Sequence, residues 1–104
     1  MEMHEAIRRE GLAAGQIVVA LKGHDSGRCF LLTKVEGRRV WMVDGKHYFW
    51  DKPKLKHVKH VKALRPLAET DFALITNEND INQRNALTRR WIRAQRTQAT
   101  TEDN

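Results

Sequence analysis

Several residue types are scarce in this chain, and each shortage excludes a class of protein. A single cysteine, Cys29, among 104 residues rules out an intramolecular disulfide and a Cys-rich zinc site, and it suits a reducing compartment. Because Cys29 lies in an apolar run, we expect a buried, unreactive thiol. No apolar run reaches the length of a membrane span, and the acidic residues 1–5 do not fit a signal peptide. These shortages predict a cytoplasmic protein without membrane contact.

The sequence also lacks the motifs of common enzyme classes. It contains no phosphate-binding P-loop, no dinucleotide-binding fingerprint and no pair of carboxylates spaced for acid–base catalysis. The one serine, Ser26, stands beside Asp25 and near His24, but a turn explains all three residues. His57 and His60 lack the further ligands of a metal site. We therefore expect a protein that is not an enzyme and has no catalytic residue, metal or cofactor.

Positive charge is what the chain has in excess. The net charge is +6 at pH 7, and it is concentrated in two basic blocks, residues 46–65 and 84–96, with an acidic segment, 66–83, between them. Such a balance favours a polyanionic partner, either nucleic acid or an anionic membrane surface. The length allows one small domain with a single core.

Short apolar segments separated by glycine-containing turns predict a mainly β fold. The expected strands lie at about 16–22, 28–35, 39–43, 46–50 and, last, near 57–64. Asp44-Gly45 is a signal for a two-residue hairpin, because a type I′ turn needs positive φ at both positions. About five short strands at this spacing predict a small barrel or rolled sheet.

The C-terminal third has a helical pattern instead. Asn77 suits an N-cap with acidic residues after it, and Leu87, Trp91 and Ile92 form a narrow apolar stripe. The expected division of the chain is therefore a tail or short helix at 1–14, the barrel at 15–65, an acidic connector at 66–76, a basic C-terminal α-helix at 77–96 and a tail at 97–104.

One segment carries a more specific pattern. The apolar run from Ile17 to Leu21 leads into Gly23-x-x-x-Gly27-Arg28 and a second apolar strand, and Val43-Asp44-Gly45 and the basic run 52–61 follow downstream. Together these features resemble the KOW domain of RNA-binding proteins. They are most similar to the family of eukaryotic-type ribosomal protein L-fourteen and its small bacterial relatives.

The resemblance covers roughly residues 13–65, and it implies both a fold and a function. The implied fold is an SH3-like barrel of KOW type. The implied function is binding to RNA, most directly structured ribosomal RNA of the large subunit, by a ribosome-associated protein of translation. Docking would rest on phosphates and shape rather than on base sequence, and we expect a monomer.

Three groups of residues are candidates for RNA binding. Cations and exposed backbone amides at a glycine turn suit phosphates, lysines at strand spacing track a phosphate backbone, and an arginine-rich helix suits RNA grooves. The candidates are Lys22, Gly23, His24, Gly27 and Arg28 in the loop, Lys52, Lys54, Lys56, His57 and Lys59 in the basic run, and Arg89, Arg90 and Arg93 in the helix.

Each candidate group also has a simpler interpretation. The loop fits an ordinary solvated hairpin, the lysines fit a protected edge strand, and the helix fits packing on the barrel or on an anionic membrane. The aromatic residues at 47–50 fit either the core or stacking on unpaired bases. A second function is also open, namely a protein–protein interaction module that binds ribosomal or transcription-apparatus proteins through Trp41 or Trp50.

Overall fold

The protein folds as one antiparallel sheet followed by two helices. The computed structural model describes the backbone of residues 11–103 and the side chains of residues 11–95, so most of the segment expected as a tail or helix at 1–14 lies outside it. The elements are β1 (Gln16–Ala20), β2 (Cys29–Glu36), β3 (Arg39–Val43), β4 (Lys54–His57), a 3-10 helix (Val58–His60), β5 (Val61–Pro66), α1 (Glu69–Thr76) and α2 (Ile81–Asp103).

The strand order identifies the architecture. The order across the sheet is β4-β3-β2-β1-β5, and every neighbouring pair is antiparallel. The last strand returns to pair with the first, and a single 3-10 turn links β4 to β5. Irregular register in β1 and β2 helps the sheet to curl. This is a small SH3-like barrel with a C-terminal helix, so the expected fold class is confirmed.

The expected fourth strand at 46–50 is wrong. The Asp44 carboxylate accepts hydrogen bonds from the backbone N–H groups of Lys46, His47 and Tyr48, at 2.9, 2.8 and 2.8 Å. These bonds fold the chain after β3 into a loop instead of a two-residue hairpin. The fourth strand comes later, at Lys54–His57, where it pairs with β3.

The expected boundaries of the helical region also need correction. The segment 66–76, expected as an acidic connector, contains helix α1, because Phe72 and Ile75 pack into the core. Helix α2 begins at Ile81. The Asp80 carboxylate caps this end by accepting hydrogen bonds from the backbone N–H groups of the second and third residues after it. Asn77, expected as that cap, instead ends α1. Helix α2 continues to Asp103, through the expected tail at 97–104.

Two hydrophobic clusters lie on opposite faces of the sheet. Alternation along β1 and β2 sends neighbouring residues to opposite sides. The cluster inside the barrel contains Val18, Ala20, Phe30, Leu32, Val40, Met42, Val58 and Val61. The cluster between the sheet and the two helices contains Ile17, Leu31, Val43, Leu67, Ile75 and Ile92. The helices are therefore part of the folded domain and not an appendage.

Helix α2 is fixed to the loop that follows β3. The Trp50 indole N–H donates to Thr88 Oγ1 at 2.8 Å, and the Trp50 backbone N–H donates to Asn85 Oδ1 at 3.1 Å. A Cβ atom on Gly45 would overlap the backbone carbonyl oxygen of Asn85, so only glycine permits this approach. Trp50 is therefore partly buried and packs against the core cluster under the helices. Along the described part of the chain, neither helix combines the length and the apolar character needed to cross a bilayer.

Candidate nucleic-acid interface

The loop between β1 and β2 is closed by backbone hydrogen bonds. Gly27 N donates to Ala20 O at 2.8 Å, and Ala20 N donates to Arg28 O at 3.0 Å. Gly23 and Gly27 have φ values of +91° and +88°, in the region that favours glycine. The loop therefore has a defined shape, as the glycine spacing predicts.

The buried carboxylate of Asp25 fixes the position of this loop. The residue is 5% exposed, and Oδ2 accepts a 2.9 Å hydrogen bond from the Tyr48 hydroxyl. The guanidinium of Arg28 lies 3.6 Å from Oδ1. Ser26 Oγ donates to the carbonyl of Leu21 at 3.3 Å. Ser26 thus bonds within its own turn, whereas the Asp25 side chain connects the turn to Tyr48.

Five basic side chains meet where this loop faces β4 and the 3-10 helix. Lys56 Nζ donates to the carbonyl of Lys22 at 2.8 Å, and the rings of His57 and His60 are 5.9 Å apart. The backbone N–H of Leu21 donates to the carbonyl of His60 at 2.8 Å. We call this group the loop–strand cluster; its members are Lys22, Lys56, His57, Lys59 and His60.

The electrostatics of His60 show that these charges converge. Partial burial of the ring, followed by the positive charges of Lys22, Lys56, His57 and Lys59, lowers the pKa of His60 below its usual value. The imidazole is therefore biased toward its neutral form by the same cations that surround it. A bound anion would relieve this repulsion.

A second group of basic side chains surrounds a cleft beside helix α2. The cleft has a volume of about 360 Å³, and three parts of the chain line it: the end of the β1–β2 loop, the loop after β3, and the middle of α2. We call it the cationic cleft; its lining residues are Gly27, Arg28, Cys29, Asp44, Lys46, His47, Arg89, Ile92 and Arg93. Cys29 is half-buried here and not fully buried as expected.

Inside the cleft, His47 lies between groups of opposite charge. Its Nδ1 is 3.1 Å from an Arg28 guanidinium nitrogen and 3.2 Å from Asp44 Oδ2. One nitrogen cannot accept from the arginine and donate to the carboxylate at once. Which of the two neighbours His47 bonds through Nδ1 therefore depends on whether that nitrogen carries a proton.

Asp44 remains ionised in this setting. Burial raises its pKa, but hydrogen bonds from the backbone of Tyr48, Lys46 and His47 and from the His47 ring outweigh burial, so the pKa of Asp44 is lowered. The cleft then holds four permanent cations against a single carboxylate among its lining residues, all of them described. Its charge is strongly positive.

The thirteen residues expected to bind RNA separate into these two groups and a few outliers. Lys22, Lys56, His57 and Lys59 belong to the loop–strand cluster, with Gly23 beside Lys56. Gly27, Arg28, Arg89 and Arg93 line the cationic cleft.

The remaining four candidates lie apart. Lys54 Nζ sits 5.3 Å from the centre of the Tyr48 ring. Lys52 lies in the turn before β4, while His24 and Arg90 are exposed outside both groups. Arg84, from the same basic block as Arg90, is bonded within the protein. It donates to the carbonyls of Thr76 and Glu78, at the end of α1 and just beyond it, and its guanidinium lies over the Trp50 ring.

Sequence reasoning missed three members of the site. Lys46 and His47 line the cleft but were assigned to a strand. His60 belongs to the basic run that the sequence favours for RNA contact, but it is absent from the thirteen named candidates. The signal for Lys46 and His47 lay in Asp44, because an aspartate before a run of free N–H groups also forms a capped loop. No group of three metal-ligating side chains lies together within the described residues.

Comparison with known proteins leaves the family open. The chain matches no protein-family model, and no curated protein matches it. The similarity to the KOW family therefore rests on the sequence pattern of residues 13–65 alone, and membership of that family is a proposal.

Proposed function

We propose that this protein is a KOW-type RNA-binding protein that associates with the ribosome in the cytoplasm and docks on structured RNA of the large subunit. The observation that carries the proposal is the position of the β1–β2 loop between two groups of basic side chains. The loop–strand cluster begins at Lys22, and the cationic cleft begins at Gly27 and Arg28.

The chemistry favours the phosphate backbone as the ligand. Lysine ammonium groups act as mobile point charges, whereas arginines supply forked donors that match phosphate oxygens. Each neutralised phosphate releases counterions, which makes such binding strongly dependent on salt. Most of the cations are at least partly exposed, so a phosphate reaches them without unfolding the protein.

Preorganisation supports the same proposal. The loop is tied to Tyr48 through Asp25, and Lys56 is tied to the loop through the carbonyl of Lys22. Groups that are held in place before binding lose less conformational entropy when they bind. The arrangement therefore suits recognition of a fixed RNA shape.

The test is the salt dependence of binding to fragments of large-subunit ribosomal RNA, measured by fluorescence anisotropy. The variant Lys56→Ala/Lys59→Ala removes two charges from the loop–strand cluster. The matched control, Lys34→Ala/Lys62→Ala, removes two exposed charges outside both groups. We expect the first pair to lower the slope of log K against log salt by about 0.7–0.9 per lost phosphate contact and the control to leave it nearly unchanged. Equal slopes in both variants would refute the proposed surface.

A second function has one observation in its favour. Trp41 is half-buried on the outer sheet face, opposite Leu55, which is 46% exposed, with Lys34 Nζ 4.8 Å from its ring centre. A partly exposed apolar pair of this kind suits a protein partner from the translation or transcription apparatus. Binding of such a partner would be insensitive to salt and would be lost in Trp41→Ala, whereas Trp50 is held under α2.

A further inference from the structure

We propose that the groove between helix α2 and the loop after β3 holds one unpaired nucleotide, with its phosphate in the cationic cleft and its base in the pocket beside it. This inference rests on the proposed function and extends it, because it adds a single-stranded element to the RNA. We infer as well that the pocket favours bases that carry an exocyclic amino group.

A second pocket adjoins the cationic cleft. Its volume is about 320 Å³, near the lower end of the roughly 300–1,000 Å³ that ligand pockets span. A pocket of this size suits a single small group such as a nucleobase. The residues that line it are Phe49, Asp51, Ile81, Asn82, Asn85 and Arg89.

Arg89 lines both spaces and joins them. It donates a hydrogen bond from its guanidinium group to the carbonyl of Gly45, which holds the group at the boundary between cleft and pocket. A guanidinium carries five N–H donors and a planar face. Held there, it can meet a phosphate on one side and a base on the other.

The walls of the second pocket have the chemistry that a base requires. Phe49 offers a half-buried aromatic ring, and Ile81 adds apolar surface that is 37% exposed. The exposed amide of Asn82 has both donors and an acceptor for the edge of a base. Unpaired bases in RNA are commonly held by such stacking together with hydrogen bonds to their edges.

The charges of the cleft and of the pocket set the orientation of the bound nucleotide. Among the described residues that line the two spaces, the cleft has four permanent cations against the single carboxylate of Asp44, whereas the second pocket has only Arg89 against the carboxylate of Asp51. The carboxylate repels a phosphate and accepts hydrogen bonds from an exocyclic amino group. The phosphate is thereby directed to the cleft, and adenine, cytosine or guanine is favoured over uracil in the pocket.

The pocket is already formed in the protein. The Asp80 carboxylate fixes the start of α2 by accepting from the backbone N–H of Asn82 at 2.9 Å. Asn85 Oδ1 holds the backbone of Trp50 at 3.1 Å, between Phe49 and Asp51 in the chain. A rigid pocket binds without the cost of ordering its own walls.

The experiment compares two RNAs of equal length with the full chain, a hairpin with an unpaired loop and a continuous duplex. The variant is Asn82→Ala, and the matched control is Gln83→Ala, the neighbouring exposed amide on α2, which is absent from the pocket lining. We expect Asn82→Ala and Phe49→Leu each to weaken hairpin binding about tenfold, the lower range for losing a held base. Duplex binding and the control should be unchanged.

A second arm tests the base. Hairpins with an all-uracil loop and with an all-cytosine loop are compared, and Asp51→Asn should remove the preference of the native protein for cytosine. Equal binding of hairpin and duplex by the native protein, with no loss in Asn82→Ala, overturns the nucleotide pocket and leaves the phosphate surface standing. Failure of the native protein to bind either RNA overturns the proposed function, and the pocket with it.

Discussion

The hydroxyl group of Tyr48 donates a 2.9 Å hydrogen bond to the buried carboxylate of Asp25, 23 positions earlier in the chain. The bond links the β1–β2 loop to the loop after β3. Each of these loops supplies basic side chains to the cationic cleft. Tyr48 therefore positions the two loops relative to each other while its own ring packs against the barrel core.

Removing the Tyr48 hydroxyl should cost stability as well as RNA affinity. In Tyr48→Phe the Asp25 carboxylate stays buried but loses a donor, and leaving such a group unsatisfied costs about 1–3 kcal/mol. The measurement is the urea midpoint, with RNA affinity measured alongside. An unchanged midpoint would contradict the structural role of this bond.

Gly45 should be far less tolerant of a side chain than Gly37, although both have positive φ, +74° and +62°. Gly37→Ala adds only backbone strain, about 1–2 kcal/mol, because nothing lies within 4 Å of its Cβ position. Gly45→Ala adds overlap with Asn85 and Arg89, a further 1–3 kcal/mol, roughly. Thermal unfolding of the two variants measures the difference, and equal losses would contradict the close packing of α2 on this loop.

Asp44 should make the protein sensitive to acid. Its folded-state pKa lies below the ordinary value of 3.8, so the unfolded chain takes up a proton first as the pH falls. The stability that Asp44 contributes is fully present above pH 3.8 and is lost as the pH falls through the lower folded-state pKa. Urea unfolding between pH 7 and pH 3 should show this loss, and Asp44→Asn should flatten it. An equally steep loss in the variant would assign the acid sensitivity to other groups.

RNA binding should strengthen as the pH falls below neutrality. The pKa of His60 is lowered from 6.5 by partial burial and by its cationic neighbours, and a bound phosphate reverses this effect, so binding takes up a proton. For one proton the gain in affinity is at most about tenfold per pH unit. The stability of the free protein changes in the opposite sense. It decreases as the pH falls below 6.5, because the unfolded state then binds more protons at His60 than the folded state does. His60→Gln should reduce the pH dependence of affinity.

The exposed loop residue His24 provides the control for this prediction. His24→Gln should leave the pH dependence of RNA affinity as it is in the native protein. If both variants behave alike, the loop–strand cluster is not the source of the effect.

The first three strands could be predicted from the sequence because their signals are local. Glycine turns bound β1 and β2, and β3 lies at 39–43 as expected. The fourth strand could not, since Asp44-Gly45 is compatible with a tight hairpin and with a capped loop. The close contact of Gly45 with α2 is consistent with the capped loop. Because the two partners are far apart in the sequence, no local pattern predicts this contact.

Helix α1 and the assembly of the site were missed for a related reason. The acidic residues Glu69 and Asp71 favoured a connector at 66–76, but on the other face of this helix Phe72 and Ile75 pack against the core. The basic residues of the site could be named from composition. Their separation into the loop–strand cluster and the cationic cleft depends on how α2 packs against the sheet.

The strand order also sets a sequence of events in folding. Strand β1 is the first element of the described part of the chain, yet it lies inside the sheet between β2 and β5. Its second partner, Val61–Pro66, exists only after most of the barrel has been synthesised, and pairing across so long a loop is slow. Because Leu21 bonds His60 beside this last pairing, the loop–strand cluster assembles only when the barrel closes. A chain released before residue 66 would carry most of the lysines and arginines without the closed barrel that brings them together.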